Sequence, residues 1–359
     1  MKSINVYHED FDMAHENYLA WLVKNTKTTW WHDSADLGEL DQGLNRGATG
    51  VTTNPVLTNR ALVDQKKYWE PMVKDALSKN LPSEQKAEFL MKTVITKVAS
   101  KLESEFERSE RRLGYVCAQV NPSRAGDRVS MLAMAKRFSG WAPNIAVKLP
   151  VTAAGLDVLE ECVSKGITVT ATVSFTVPQV IAIAERYHRG IELAKKKGNT
   201  HGKCFAVIMI GRLDDYLRDV ANDMSANIDE SDITQAGLAV TKRAYSIYKE
   251  RGYKPLIIVA ALRGNYHMVE LAGAELIMSI HPKYQALLLS GDTPREERID
   301  KEISPEVIDR LSALDEFRRS YLPDGMKPEE FICFGANQRT LTQFYEIGWK
   351  MLENYKISE

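Results

Sequence analysis

The chain has 359 residues, 44% hydrophobic and 26% charged, and its 47 Lys and Arg are balanced by 48 Asp and Glu to a net charge of -1. Such a composition describes a folded body with an ample core, and it lacks the global field that would gather nucleic acid or an anionic membrane, so a small, locally recognised ligand is expected. The first thirteen residues are acidic and carry no signal-type apolar stretch, and no apolar run approaches the roughly 18 residues of a bilayer span, so a cytoplasmic protein is expected.

In chain order, short β-rich apolar runs alternate with longer amphipathic segments, the pattern of a parallel sheet wrapped in helices. A capping helix is expected within residues 1–27, then a strand over Thr28–Asp33 and a helix over Leu37–Leu44. A second strand, Gly50–Asn54, precedes a charged insert, Lys66–Arg112, which reads as two exposed helices because it keeps apolar residues at helical spacing. Strands follow at Tyr115–Val120, Ile145–Pro150, Thr168–Ser174, Phe205–Gly211, Leu256–Leu262 and Leu276–His281, with helices such as Gly155–Ser164 and Pro178–Lys197 between them. Eight such strands are the number that closes a barrel. The fold class expected is therefore α/β, a (β/α)8 TIM barrel forming one domain over 1–359, with an N-terminal extension 1–27 and a helical tail 283–359 ending near Thr340–Asn354.

The four cysteines, Cys117, Cys162, Cys204 and Cys333, form no C-x-x-C pair, and the seven His show no metal-ligand spacing, so reduced thiols and no metal site are expected. In a barrel of this type chemistry sits at the C-terminal strand ends, and few polar residues fall there. Lys148, in Asn144-Ile-Ala-Val-Lys-Leu-Pro, lies on a strand built for burial on both faces. Burial disfavours an ammonium, and a neutral amine attacks a carbonyl to give an iminium. The alternative is a strand-end lysine reaching solvent. Asp33 closes the first strand, where a carboxylate can take a hydroxyl proton or cap a helix, although Asp36 followed by Glu39 is the better capping pair. Asn54, held extended before Pro55, could orient a hydroxyl or form a turn. Arg212 and Arg263 follow the sixth and seventh strands and together suit a phosphate, with salt bridges, for instance Arg212 to Asp214 or Asp215, as the alternative for either alone.

These blocks, Asp33-Ser-Ala, Gly50-Val-Thr-Thr-Asn-Pro, Asn144-Ile-Ala-Val-Lys-Leu-Pro, Gly211-Arg-Leu-Asp-Asp and Ala261-Leu-Arg, resemble the transaldolase family in its own order. The resemblance implies that Lys148 is the Schiff-base lysine, Asp33 the acid/base at carbon–carbon cleavage, and Thr172 and Gln119 their catalytic companions. It also implies that Asn54, Thr53 and Thr170 bind substrate and that Arg212 and Arg263 hold its phosphate. Transfer of a dihydroxyacetone unit between sugar phosphates, with no cofactor, is the implied activity. Gln119 stands where transaldolases carry glutamate, as in the related fructose-6-phosphate aldolases, yet Met209 stands where those have tyrosine. Thr170, Val207 and Ala261 replace an asparagine and two serines of the family pattern. A lyase releasing free dihydroxyacetone and a non-catalytic sugar-phosphate binder are therefore the alternatives. His281, ending the eighth strand, is either an extra pocket group or a structural histidine. A homodimer pairing through the added helical surface is also expected.

Overall fold

The computed structural model describes residues 17–78, 81–290 and 293–356. Eight parallel strands close on themselves in sequence order: β1 (Thr29–His32), β2 (Gly50–Val51), β3 (Tyr115–Gln119), β4 (Ile145–Pro150), β5 (Val169–Thr172), β6 (Cys204–Met209), β7 (Leu256–Ala260) and β8 (Ile277–Ile280). β8 pairs back to β1 through Thr29↔Ile277 to His32↔Ile280. This is a (β/α)8 barrel. β3, β4 and β6 are buried along their whole length, which is why they read as unbroken apolar runs rather than alternating ones.

Pleat alternation sends every second side chain inward. At the N-terminal side of the barrel Trp31 lies against Phe205, ring centroids 4.8 Å apart, and Phe205 against Tyr115 at 5.4 Å. A β-carbon on Gly50 would come within 2.5 Å of the Trp31 ring, so β2 passes this aromatic layer only as glycine. β2 stops after two residues because Asn54 turns at once into the helix Pro55–Asp64, with its side-chain oxygen accepting from the Leu57 N–H at 3.0 Å.

The N-terminal expectation is met where the chain is described: the helix Tyr18–Asn25 buries Tyr18, Leu19, Leu22 and Val23 and packs against Pro282–Ser290, while residues 1–16 lie outside the described residues. The charged insert forms two helices, Lys66–Leu77 and Ser83–Arg108, but the second is not an exposed appendage. Ala87, Leu90, Met91, Val94, Ile95, Val98, Ala99, Leu102 and Phe106 make a buried stripe on it, and it serves as the crossover from β2 to β3. β6 also differs from expectation. It ends at Met209 and the helix Ile210–Asp223 begins immediately, so Gly211 and Arg212 are helical.

The tail returns across the C-terminal mouth of the barrel. A helix over Gly335–Phe344 passes through a π-helical turn, Tyr345–Trp349, into Lys350–Glu353. It meets the segments that leave β3 and β6 and then packs on Pro55–Asp64 so closely that a β-carbon on Gly348 would sit 2.8 Å from the Val56 nitrogen.

Candidate functional site

β4 places Lys148 inside the barrel, 6% exposed, with its Nζ donating to the Thr53 carbonyl at 3.2 Å. Among the described residues no carboxylate pairs with it. A buried ammonium without a counter-ion is costly, and this one has only a neutral carbonyl to satisfy it. In register beside it stand Gln119 on β3 and Thr170 on β5, while Thr172 pairs with Pro150 one pleat further on. Gln119 Oε1 and Thr172 Oγ1 are both buried without a hydrogen-bond partner, which leaves two polar atoms in the barrel mouth for a ligand or solvent to satisfy. Cys117 lies in the same cluster, its Sγ donating to Thr170 Oγ1 at 3.5 Å. Burial pushes the Cys117 thiol up, partly countered by the charge of Lys148.

Asp33 follows β1 and its Oδ1 accepts from Thr52 Oγ1 at 2.7 Å. Thr52 Oγ1 is also 2.6 Å from Ser279 Oγ, and since its single proton goes to Asp33, Ser279 is the donor to Thr52. Three strands thus hold one carboxylate. The capping role falls to Asp36, whose Oδ1 accepts from the Glu39 N–H at 2.9 Å, while the Glu39 carboxylate turns to Ser34 Oγ at 2.5 Å. Asp33 therefore remains free for chemistry, and its charge acts on Cys117 and on Arg212, which groups it with both.

Arg212 stands 5.1 Å from the Phe344 ring centroid, donates to Gln343 Oε1 and keeps a buried Nε without a partner. Burial, then the nearby Arg263 guanidinium, bring its pKa down to about 10. It lines a cavity of about 280 Å³ with Asp215, Tyr216, Ala336, Arg339, Thr340 and Gln343, so the C-terminal helix supplies four of the seven residues of that wall. Arg263 makes a salt bridge, the alternative open for either arginine. Its Nε and Nη2 go to Asp215 Oδ2 at 2.9 and 2.6 Å, and its Nη1 goes to the Ala261 carbonyl at 2.8 Å. Burial opposes ionisation of Asp215, but Arg263 and Arg218 hold its carboxyl below the usual range. A phosphate would have to share Arg263 with Asp215, leaving Arg212 as the better anion donor. Beneath them a buried pair, Asp214 Oδ2 and His267 Nε2 at 3.0 Å, ties the Arg212 helix to the Arg263 turn, because His267 Nδ1 accepts from the Arg263 N–H at 3.2 Å.

Three further candidates make local contacts. Thr53 commits its hydroxyl to the Cys117 carbonyl at 2.6 Å, so its carbonyl rather than its side chain faces Lys148. Asn54 spends its oxygen on the helix cap already described. His281 Nδ1 accepts from the Lys283 N–H at 3.2 Å, a cap for the helix after β8. Among the described residues no group of three or more His, Cys, Asp or Glu gathers to hold a metal ion, and no helix is long and apolar enough to cross a membrane.

The profile of the family described as Transaldolase/Fructose-6-phosphate aldolase matches residues 30–329, most of the chain and all eight strands except the first residue of β1. The chain belongs to this family. It is similar to a transaldolase of Neisseria gonorrhoeae, 29% identical over 59% of this chain and 60% of the relative. It is also similar to a second transaldolase of Streptomyces avermitilis, 27% identical over 60% of this chain and 58% of the relative. A probable transaldolase of Dehalococcoides mccartyi is 26% identical over 67% and 80% respectively. The chain thus spans about three fifths of the length of the first two. Within the transaldolase/aldolase barrel, the sequence did not reveal Thr52, just beyond β2, and Ser279, on β8, as supports of Asp33, although both are small polar residues. Nor did it reveal Gln179 and Asn337, buried amides on the faces of otherwise ordinary helices.

Proposed function

We propose that the protein transfers a dihydroxyacetone unit from a ketose phosphate to an aldose acceptor through a Schiff base on Lys148. The observation that carries this is the buried amino group of Lys148, with no carboxylate partner, beside two buried polar atoms, Gln119 Oε1 and Thr172 Oγ1, that have no hydrogen-bond partner. Family membership supports the same reading.

The neutral Lys148 Nζ attacks the donor C2 carbonyl, and the resulting carbinolamine loses water to form an iminium. Asp33 then takes the proton of the C4 hydroxyl. The C3–C4 bond breaks, its electron pair flows to the iminium to give an enamine, and an aldose phosphate leaves with a new C1 aldehyde. An acceptor aldehyde reverses these steps, regaining the proton from Asp33, and hydrolysis frees Lys148. Gln119, in register with Lys148, and Thr172, one pleat further on, offer polar groups for the water that is lost and regained, but Gln119 can only orient that water, because an amide is neither an acid nor a base near neutral pH. Arg212 anchors the donor phosphate at the edge of the mouth.

Gln119 in place of a carboxylate specifically favours a second reading, a lyase that releases free dihydroxyacetone from the enamine. Mass spectrometry after borohydride reduction with fructose 6-phosphate, run beside a dihydroxyacetone assay with and without erythrose 4-phosphate, separates the two. A three-carbon adduct on Lys148 with acceptor-dependent turnover supports transfer, and acceptor-independent dihydroxyacetone supports the lyase. An unmodified Lys148 would sink both and leave a non-catalytic binder.

A further inference from the structure

Two buried amides meet where the C-terminal helix crosses the mouth. Gln179, on the helix Val177–Lys196, and Asn337, on Gly335–Phe344, are both inaccessible to solvent. Gln179 Nε2 lies 3.2 Å from Asn337 Oδ1, 3.3 Å from the Val173 carbonyl and 3.4 Å from the Val151 carbonyl. Asn337 Nδ2 donates to the Val173 carbonyl at 2.9 Å and reaches the Val151 carbonyl at 3.5 Å. Gln179 Oε1 accepts from the Phe175 N–H at 2.9 Å, which fixes the amide so that its NH2 must face the two carbonyls.

Those carbonyls belong to the first residues beyond β4 and β5, the strands that carry Lys148 and Thr172. Val173 has φ +54°, a left-handed conformation that a β-branched residue holds only when its surroundings impose it. Directly before it stands Thr172, whose buried hydroxyl has no partner of its own and so is aimed by its backbone alone. A helix serving only as a cover would need apolar contacts. This one sends an amide through to the backbone at the ends of two catalytic strands.

We infer that Asn337 is a positioning residue: through the Val173 carbonyl it holds the strained turn that aims the Thr172 hydroxyl, and through Val151 it steadies the end of the Lys148 strand. The inference rests on the roles proposed above for Lys148 and Thr172.

The test compares wild type with Asn337→Asp, which keeps the shape and the acceptor for Gln179 but removes the donor to Val173. Lys350→Ala, an exposed change further along the same helix, serves as control. We expect Asn337→Asp to lower kcat about tenfold or more, with KM for fructose 6-phosphate held within about threefold and slower borohydride trapping at Lys148. Adding Val173→Gly to Asn337→Asp should restore part of kcat, because glycine adopts the left-handed turn without help. Gln179→Met, which removes the companion donors to the same two carbonyls and leaves Asn337 itself in place, should reproduce the kcat loss and decides the matter should Asn337→Asp not fold. Absence of a wild-type adduct overturns the Schiff-base reading and this inference with it. An adduct in wild type together with unchanged kcat in the clamp variants, or no recovery on adding Val173→Gly, overturns the inference alone.

Discussion

His32 offers a test of how the barrel wall responds to pH. It lies next to Asp33 but points out of the barrel, fully buried, with Nδ1 accepting from Gln285 Nε2 at 3.0 Å and Nε2 without a partner. The Gln285 amide is itself fixed by donation to the Ile280 carbonyl at 2.8 Å, so it can offer His32 only a donor. A charged imidazolium would place a second donor against it, with Gly43 so close that an added β-carbon would be 2.5 Å from Nδ1. Burial first, with smaller opposition from the Asp33 charge, lowers the His32 pKa from 6.5 to about 4. The unfolded ring therefore takes up a proton that the folded one refuses. This contribution to stability is complete above pH 6.5 and is lost as pH falls towards 4. At 1.36 kcal/mol per pH unit the loss amounts to about 2 kcal/mol at pH 5 and levels off near about 3 kcal/mol. His32→Asn keeps an acceptor for Gln285 and cannot titrate. Urea unfolding of both proteins at pH 7 and pH 5 isolates the effect, because the carboxylates common to both cancel in the difference. Equal losses of stability in the two proteins would refute the argument.

Thr172→Val removes a buried hydroxyl that has no partner. Thermal and denaturant unfolding should therefore find the variant as stable or roughly 1 kcal/mol more stable, while steady-state kinetics record a turnover reduced on the order of a hundredfold. Gly155→Ala would drive a β-carbon to 1.9 Å from the Pro150 carbonyl at the end of the Lys148 strand. A loss of about 1–3 kcal/mol or more in urea unfolding, with slower adduct formation, is expected. Arg212 keeps its charge at neutral pH, so Arg212→Gln should raise the KM for a phosphorylated donor by about tenfold or more and leave that for an unphosphorylated ketose unchanged. An equal change of KM for both sugars would remove Arg212 from phosphate binding.

Strands were legible because a parallel barrel buries both faces, which leaves compact apolar runs such as Ile145–Pro150 with a single charged residue inside. Lys148 was conspicuous for that reason. Depth was less legible: the Ser83–Arg108 helix looked exposed because charged residues are spread along its whole length, and only tertiary packing reveals that the apolar stripe is covered. The start of the Arg212 helix was hidden because Val207–Ile210 reads as strand by composition. What ends the strand is the approach of Gly211 to the Arg263 turn, where a β-carbon would lie 2.5 Å from the Ala261 carbonyl. The remaining gaps are long-range pairings: Asp215 with Arg263, Thr52 with Ser279, and Gln179 with Asn337 join residues 48, 227 and 158 apart. No local pattern encodes such partners, since each depends on where the barrel closes.

The ring of Trp31, Phe205 and Tyr115 that fills the barrel beneath the Lys148 layer bears on the order of events in a transfer reaction. These three buried aromatic side chains occupy the base of the barrel and leave the C-terminal mouth as the side that faces Lys148. In the proposed reaction the aldose released from the donor leaves through the C-terminal mouth, the side from which its replacement arrives, while the three-carbon unit stays bound to Lys148. Catalysis of the proposed kind would therefore run as strict alternation, with initial-rate lines for varied donor staying parallel as the acceptor concentration changes.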